Sequence, residues 1–193
     1  MRLAIFGGSF DPPHVGHLLA AQDAFEQLSL DRLVFVPAAT QPLKVGRTVA
    51  SASQRLAMVR LLVDGDPRFE VSPVEVERSG LSFTVDTLEH FTAAHPGAEL
   101  FLLVGADVLD TFSQWREPEQ IAKLAHLVVL ERVGDRPASL PAGLEGRRVE
   151  RLPTRRMDVS STEIRERVRA GKSIRGFVMD SVAAFIARDG LYR

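Results

Sequence analysis

Gly7-Gly8-Ser9-Phe10-Asp11-Pro12-Pro13-His14-Val15-Gly16-His17 is the stretch from which the fold of this chain can be worked out. It follows an apolar run, Leu3–Phe6, that predicts a buried strand. It leads into Leu18–Leu28, whose apolar residues recur at helical spacing. Glycines let backbone N–H groups approach a phosphate closely, and the first turn of a helix offers unpaired donors. A strand, a glycine turn and a helix in this order therefore predict an anion-binding site.

Two histidines at the start of that helix make the prediction more specific. His14 and His17 are three residues apart and can project to the same side, and Gly16 between them has no side chain to block a ligand. A histidine at this position can also be an ordinary capping or surface residue. A zinc pair is the other alternative, but zinc prefers three or four ligands. The other histidines lie in separate predicted segments, and they are His90, His95 and His126.

Composition limits the class of protein. The length of 193 residues favours one α/β domain, 1–193. Lys and Arg number 24 against 25 Asp and Glu, which argues against a basic nucleic-acid binder and predicts no nucleic-acid partner. The absence of cysteine excludes disulfides and thiol nucleophiles and fits a reducing compartment. With no apolar signal core and no long apolar run, we expect a soluble, cytoplasmic protein that does not bind membranes.

Strand-like and helical segments alternate along the chain. The predicted helices are Arg55–Val63, capped by Ser53, and Thr84–Ala94. The predicted strands after the first are Leu33–Val36, Phe69–Val71, Val74–Val76, Leu100–Val104 and Leu127–Leu130. This alternation predicts a Rossmann-like, doubly wound α/β domain with a mainly parallel sheet and helices on both faces.

Ligands of such sheets lie beyond the carboxyl ends of the strands. That rule places Gly7–His17, Pro37–Lys44 and Gly105–Trp115 along one rim. The stretch Arg132–Pro141 is typical of an exposed loop. The segment from Arg147 to Arg175 contains ten basic and four acidic residues, and we expect most of its arginines to form a solvated surface.

A second candidate anion site lies at the start of a helix near the C-terminus. It reads Val159-Ser160-Ser161-Thr162-Glu163-Ile164-Arg165. Ser160 and Glu163 have capping-box spacing, so capping alone can explain these two residues. It does not explain Ser161, Thr162 and Arg165. Hydroxyls and an arginine at a helix N-terminus suit a phosphate, so this segment predicts a second phosphate contact.

Both segments resemble motifs of one superfamily. His-x-Gly-His after Gly-x-Phe-x-Pro resembles the signature of the nucleotidyltransferase superfamily, and the second segment is similar to its Ile-Ser-Ser-Thr-x-Ile-Arg motif, with Val159 in place of isoleucine. The motifs lie about 140 residues apart. Such a pair is more specific than either motif alone, and the resemblance implies that both motifs grip a single triphosphate.

Other stretches look like the bacterial nicotinate-mononucleotide adenylyltransferase family. They are Leu81–Leu88, Gly105–Trp115 and Gly190–Arg193. Pantetheine-phosphate adenylyltransferase shares the two phosphate motifs but is typically shorter and lacks the Gly-x-Asp…Trp segment. A non-catalytic nucleotide-binding module is a further alternative. A dinucleotide-dependent oxidoreductase would need Gly-x-Gly-x-x-Gly after the first strand, and the chain has Gly7–Pro12 there.

The resemblance implies transfer of AMP from ATP to nicotinate mononucleotide, giving nicotinate adenine dinucleotide and pyrophosphate. By the same resemblance His14, His17 and Arg165 are the catalytic residues, and the segment from about 158 to 193 completes the ATP site. A magnesium ion would be bound mainly through the ATP phosphates. The ATP-binding residues so implied are Gly7, Gly8, Ser9, Phe10, His14, His17, Gly105, Asp107, Ser160, Ser161, Thr162 and Arg165.

The resemblance also implies an acceptor site. Trp115, the only tryptophan, would stack on the pyridine ring, although a packing role in a helix is the alternative. Thr84 and the backbone near Thr84 and Arg116 would receive the nicotinate carboxylate, and Ser9 would line the junction with ATP. Lys44 would contact a phosphate. Family members usually have histidine where this chain has Leu43, and leucine cannot donate a hydrogen bond. A homo-oligomer is a further expectation.

Overall fold

A parallel six-stranded sheet organises the part of the chain that the computed structural model describes, residues 1–42, 49–132 and 149–193. Its strands are β1 (Arg2–Gly8), β2 (Arg32–Pro37), β3 (Phe69–Val71), β4 (Glu99–Gly105), β5 (His126–Arg132) and β6 (Val149–Thr154). They lie in the order β3-β2-β1-β4-β5-β6 with every neighbouring pair parallel. This is the strand order of a doubly wound fold, so the predicted fold class is confirmed.

The helices connect these strands and cover the sheet. They are α1 (Val15–Gln27), α2 (Ala52–Val63), α3 (Val74–Arg78), α4 (Thr84–Ala94), α5 (Pro118–Leu124), α6 (Ser161–Arg169) and α7 (Asp180–Arg188). A 3₁₀ segment, Ala106–Gln114, follows β4. The strand at residues 69–71 and the helix at 84–94 lie where the sequence predicted them.

Alternating residues of β1 divide the core into two layers. Ala4 and Phe6 pack with α1 and α2 on one face of the sheet, whereas Leu3 and Ile5 pack with α4 and α5 on the other. All four are buried, as expected for a central parallel strand. A third apolar cluster joins α2 to the C-terminal helices α6 and α7. The C-terminal segment is therefore held against the same side of the molecule as α2.

Two local predictions are wrong. α2 is capped by Ser51 and not by Ser53, because Ser51 is extended and exchanges hydrogen bonds with Gln54 in a capping box. The segment predicted as a strand at 74–76 is the helix α3, which follows Pro73 directly. Proline fixes a φ angle that suits a helix start, and the acidic residues after it favour the first helical turn.

Strand β6 was not predicted. Leu152 and Thr154 are buried while Glu150, Arg151 and Pro153 are exposed. The apolar residues Val149 and Leu152 are three positions apart, which is not the spacing of one strand face, and a proline inside the segment argues against a strand. Residues 133–141 of the predicted loop lie outside the described residues. Within the described ranges, no helix combines the length and apolar character needed to cross a bilayer.

Candidate active site

The carboxyl ends of β1, β2 and β4 form the rim that the sequence predicted. Gly8 at the end of β1 is in register with Pro37, and its carbonyl oxygen accepts the Ala38 N–H at 2.9 Å. A Cβ on Gly8 would lie 2.9 Å from the ring of Phe10, so only glycine allows this ring to fold back over the strand end. Phe10 itself has a φ of 50°, in the left-handed region. The turn that follows β1, residues 7–13 (the glycine turn), is therefore fixed by close packing.

The two histidines lie side by side at the start of α1. Their ring centroids are 3.7 Å apart, and a Cβ on Gly16 would lie 3.0 Å from Nδ1 of His14. A side chain at position 16 would press against the His14 ring and displace it by a few tenths of an ångström. The His14 backbone N–H donates to Nδ1 of His17 at 3.2 Å. Because Nδ1 accepts this bond, a neutral His17 carries its proton on Nε2, which is then a donor.

The charge of His17 in the free protein follows from its surroundings. Burial, reinforced by the neighbouring His14, lowers the pKa of His17 well below its ordinary value. The edge of Phe10 packs against its ring, with centroids 5.0 Å apart. His17 is therefore neutral at pH 7.

The second predicted segment contacts the first directly. Ser161 donates its hydroxyl to the Pro12 carbonyl oxygen at 2.8 Å, and Nη1 of Arg165 donates to the Asp11 carbonyl oxygen at 2.7 Å. A second guanidinium nitrogen of Arg165 donates to the Thr162 hydroxyl at 3.1 Å. The two motifs, far apart in sequence, lie together at one edge of the sheet.

The capping interpretation of α6 is also correct. Ser160 is the N-cap of α6, and its hydroxyl accepts the Glu163 N–H at 3.1 Å. Most other arginines of the basic region belong to surface ion pairs or surface hydrogen bonds, as expected. Examples are Arg155 with Asp23 and Arg156 with Asp158. Arg165 differs from them because it is directed into the glycine turn.

A cavity of about 290 Å³ opens beside the glycine turn. Its walls come from the ends of β1 and β4, the start of α4 and the end of the 3₁₀ segment. Trp115 lies on this wall and also packs 5.4 Å from Phe112, so it both lines the cavity and contacts the core. The residues of this wall that the sequence predicted are Gly7, Gly8, Thr84, Trp115 and Arg116.

The other predicted residues are placed as follows. Ser9 donates its hydroxyl to Gln41 at 2.8 Å, and Gln41 lines the cavity. Gly105 ends β4 and precedes the 3₁₀ segment that contains Asp107. The Arg116 side chain pairs with Asp86 and Glu117 on the surface, so only its backbone is available for the predicted role. Lys44 and Leu43 lie outside the described residues.

Several site residues were not predicted from the sequence. Glu75 of α3 lines the cavity, is 7% exposed and accepts the Thr87 hydroxyl at 2.5 Å. Burial raises the pKa of Glu75. The mistaken strand prediction at 74–76 hid this residue, because only a helix turns it toward Thr87. Asp11 lies in the quoted stretch, but the sequence analysis assigned it no role.

Comparison with known proteins first defines the class. Residues 5–167 match the family model described as cytidylyltransferase-like, which includes both motif segments and the sheet apart from the first three residues of β1. This match is independent of the side-chain geometry described above. It extends from β1 to α6, the two elements whose contact closes the site.

The particular family follows from closer relatives. The chain is 54% identical over its whole length to "Probable nicotinate-nucleotide adenylyltransferase" of Gemmatimonas aurantiaca, covering 93% of that protein. It is 45% identical, over the full length of both chains, to the protein of the same name from Thermus thermophilus. The chain therefore belongs to the nicotinate-nucleotide adenylyltransferase family within the cytidylyltransferase-like class.

Solved structures agree on the fold. The nicotinic acid mononucleotide adenylyltransferase of Plasmodium falciparum, complexed with NaAD, superimposes with a TM-score of 0.79 at 16% identity. The alignment covers 99% of this chain and 97% of the other. The same enzyme complexed with APC gives a TM-score of 0.77. At this identity the likeness concerns the fold alone.

Proposed function

We propose that the protein transfers AMP from ATP to nicotinate mononucleotide, giving nicotinate adenine dinucleotide and pyrophosphate. The observation that carries this proposal is the contact of Ser161 and Arg165 with the Pro12 and Asp11 carbonyl oxygens. It brings the hydroxyls of the second motif to the segment that bears the histidines. The family to which the chain belongs supports the same reaction.

The reaction is an in-line displacement. A phosphate oxygen of the mononucleotide attacks the α-phosphorus of ATP, the bond from that phosphorus to the bridging oxygen breaks, and pyrophosphate leaves. No protein nucleophile takes part. Catalysis consists of aligning two polyanions and neutralising the charge that develops on the bridging oxygen.

His14, His17 and Arg165 stabilise this charge. The Nε2 donor of His17 follows from the hydrogen bond that its Nδ1 accepts, and it is directed to the α-phosphate. Arg165 uses two N–H groups within the protein and has others for the β- and γ-phosphates, where Ser160, Ser161 and Thr162 also bind. His17 donates as a neutral imidazole, because its other nitrogen, Nδ1, already accepts the His14 N–H.

The glycine turn and the end of β4 hold the rest of ATP. The backbone of Gly7 and Gly8, with Ser9 and Phe10, lines the junction of ATP with the acceptor. Gly105 and Asp107 meet the ribose of adenosine, whose paired hydroxyls suit a carboxylate. The segment from about 158 to 193 completes this site.

Magnesium enters with the nucleotide. The described residues include no group of three or more His, Asp or Glu side chains that could hold a metal ion, whereas the site offers hydroxyls and an arginine. These groups suit a nucleotide whose phosphates carry the metal. When bound, the ion neutralises phosphate charge. The hydroxyls and the arginine of the site bind the other phosphate oxygens.

The cavity beside the glycine turn receives the acceptor. Trp115 stacks on the pyridine ring, and Thr84 with the backbone of Arg116 binds the nicotinate carboxylate. A site made of donors favours a carboxylate over an amide, because the amide NH₂ would find no acceptor. Lys44 binds a phosphate from the rim.

The protein acts in the cytoplasm, without nucleic acid or membrane partners.

A substrate panel tests this function. ATP and magnesium are mixed with nicotinate mononucleotide, nicotinamide mononucleotide or pantetheine phosphate, and pyrophosphate release is measured for each acceptor. We expect release with nicotinate mononucleotide and formation of the matching dinucleotide. Turnover with pantetheine phosphate alone would establish the other adenylyltransferase activity. Nucleotide binding without turnover of any acceptor would indicate a non-catalytic module.

A further inference from the structure

The C-terminal end of the chain reaches the glycine turn at a buried carboxylate. Tyr192 and Asp11 are each 3% exposed, and the tyrosine hydroxyl donates to Oδ1 of Asp11 at 2.7 Å. The same carboxylate accepts the N–H groups of Val49 and Ala50 at 2.7 and 3.1 Å. Three donors of known geometry therefore determine how Asp11 is oriented.

Both ends of this contact have unusual backbones. Tyr192 has a φ of 66°, and Phe10, the residue before Asp11, has a φ of 50°. Bulky residues rarely adopt this left-handed conformation, and they keep it only where surrounding contacts enforce it. The chain thus accepts unfavourable backbone conformations on both sides of the Asp11–Tyr192 hydrogen bond.

The orientation of Asp11 determines where Arg165 lies. The carbonyl oxygen of Asp11 accepts Nη1 of Arg165 at 2.7 Å, and the Thr162 hydroxyl accepts Nη2 at 3.1 Å. Two anchors define the plane of the guanidinium. Because the carbonyl and the carboxylate belong to one residue, the hydrogen bonds that hold the carboxylate also limit movement of the Asp11 backbone, and with it movement of this anchor.

A buried arginine donates hydrogen bonds to the backbone of the same turn. Arg55 is 1% exposed and donates to the carbonyl oxygens of Ser9 and Ala39 at 2.7 and 2.8 Å. Burial lowers the pKa of Arg55, and the nearby Asp11 carboxylate opposes this effect. Arg55 thus compensates the buried charge of Asp11 and ties two loops of the rim together.

We propose that Tyr192 is a positioning residue for nucleotide transfer, which acts through Asp11 to hold Arg165 in the orientation that binds the triphosphate. This inference rests on the proposed function, in which Arg165 binds the β- and γ-phosphates. Tyr192 itself touches no substrate. Its hydroxyl fixes the carboxylate, the carboxylate fixes the Asp11 backbone, and the backbone carbonyl orients the guanidinium.

A purely structural role is the competing explanation. The Tyr192 ring packs in the third apolar cluster with Ile164 of α6 and Ile186 of α7, and this packing needs no hydroxyl. Tyr192→Phe separates the two explanations, because it keeps the ring and removes only the donor to Asp11. The control is Ser181→Ala, which removes a hydroxyl that ties α7 to the Leu61 carbonyl oxygen at 3.2 Å without touching Asp11.

The first measurement is steady-state kinetics with both substrates. We expect Tyr192→Phe to lower kcat/KM for ATP about tenfold, on the scale of a small misplacement of a positioning group. The KM for nicotinate mononucleotide should change less than twofold, since neither Tyr192 nor Asp11 lines the acceptor cavity. Ser181→Ala should match the wild type in both parameters. If Tyr192→Phe raised the KM for nicotinate mononucleotide as much as the KM for ATP, the proposal would be overturned.

The second measurement is a double-mutant cycle with Arg165→Ala. If Tyr192 acts through Arg165, adding Tyr192→Phe to Arg165→Ala should change kcat/KM for ATP less than twofold. An undiminished tenfold loss in that background would show that the hydroxyl acts independently of the arginine. The melting temperature of each variant is measured alongside, so that a loss of folding is recognised.

Failure of the proposed function is distinguishable from failure of this inference. If the wild type forms no dinucleotide from ATP and nicotinate mononucleotide, the proposed function fails, and the same cycle is measured by calorimetric binding of ATP. If the wild type turns over and Tyr192→Phe equals it, only the positioning role fails. Tyr192 is the single tyrosine of the chain, so tyrosinate absorbance monitors its hydroxyl directly.

That absorbance gives a readout of the contact itself. Burial and the hydrogen bond to Asp11 raise the pKa of Tyr192. In the wild type we expect no tyrosinate until the protein unfolds in alkali. A tyrosine that titrates in the folded wild type as in a free peptide would show that the Asp11 contact does not form.

Discussion

The backbone of His14, the N-cap of α1, holds His17 in one tautomer. The His14 N–H donates to Nδ1, which leaves the Nε2 proton for a ligand. The orientation of the donor is therefore set before ATP arrives. A preorganised donor stabilises developing charge without the cost of reorientation, and this is the physical basis of the role proposed for His17.

His17→Ala should lower kcat by about 10²-fold or more, the scale of losing one transition-state donor. The measurement is pyrophosphate release at saturating ATP and nicotinate mononucleotide. His90→Ala is the matched control, because His90 is an exposed histidine of α4 and should leave kcat unchanged. Near-normal turnover of the His17 variant would remove the histidine from the mechanism.

The lowered pKa of His17 also predicts how stability depends on pH. Between its folded pKa and the ordinary value near 6.5, the unfolded chain binds more protons than the folded one. The free energy of unfolding therefore decreases as the pH falls below about 6.5. His17→Asn removes this contribution, so the wild type should lose more stability than the variant as the pH falls from 7.5 to 5.

Denaturant unfolding at several pH values measures this difference. Comparing the two proteins at each pH cancels the titration of all other groups. A constant difference between wild type and variant across the range would mean that His17 titrates alike in the folded and unfolded chains.

Trp115→Ala should raise the KM for nicotinate mononucleotide about tenfold, since stacking on an aromatic ring contributes about 1–3 kcal/mol. The KM for ATP should stay within twofold. Initial rates with one substrate varied at a time give both values. An unchanged acceptor KM together with a lowered melting temperature would show that Trp115 serves only to pack against Phe112.

At the scale of elements, α6 combines a structural cap with a proposed phosphate contact. Ser160 accepts the Glu163 N–H, and Ser51 accepts the Gln54 N–H at the start of α2 in the same way. Replacing either serine by alanine removes one cap, which costs about 1 kcal/mol of stability. The two helices differ in function, because the first turn of α6 carries the proposed phosphate contact and that of α2 does not.

Ser160→Ala and Ser51→Ala should therefore lose similar stability but differ in function. We expect only Ser160→Ala to raise the KM for ATP, by about tenfold or more, as for loss of one hydrogen bond to a charged group. Thermal unfolding and ATP saturation curves test both variants together. Equal KM values would assign Ser160 to capping alone.

The elements also show how far sequence patterns extend. Residues 84–94 have helical periodicity and the buried strands are continuous apolar runs, and these elements lie where predicted. Residues 74–76 alternate in polarity like a strand, yet Pro73 and the acidic residues after it start a helix. β6 was not recognised, because its apolar residues Val149 and Leu152 are not at strand spacing and Pro153 argues against a strand. Local patterns fail where a short segment takes its form from its neighbours.

At the scale of the molecule, the sheet order explains why the site forms at all. β1 is central, so the turn after it faces loops from β2 and β4, while β6 and α6 return the C-terminal part to the same edge. The sequence motifs predicted this meeting. They did not predict Tyr192 or Arg55 as partners of the turn, because side-chain contacts across 181 and 46 positions leave no local pattern.

A site built from both halves of the chain should couple nucleotide binding to global stability. ATP at about one hundred times its Kd should stabilise the folded protein by about 2.7 kcal/mol. For a chain of this size that corresponds to a rise in melting temperature of about 5–10 °C. The rise comes from binding only to the folded state, in which Arg165 and the glycine turn lie together.

Arg165→Ala should reduce this rise at the same ATP concentration. Losing hydrogen bonds from a charged group, about 2 kcal/mol, weakens binding about 30-fold and leaves a shift of about 2–3 °C. Arg175→Ala is the control, since Arg175 is an exposed arginine whose nearest acidic partner is Asp180 at 3.7 Å. Thermal melts with and without magnesium-ATP measure all three proteins. If the Arg165 variant keeps the full shift, the triphosphate is held elsewhere, because loss of a binding arginine must weaken the linkage between ligand and fold.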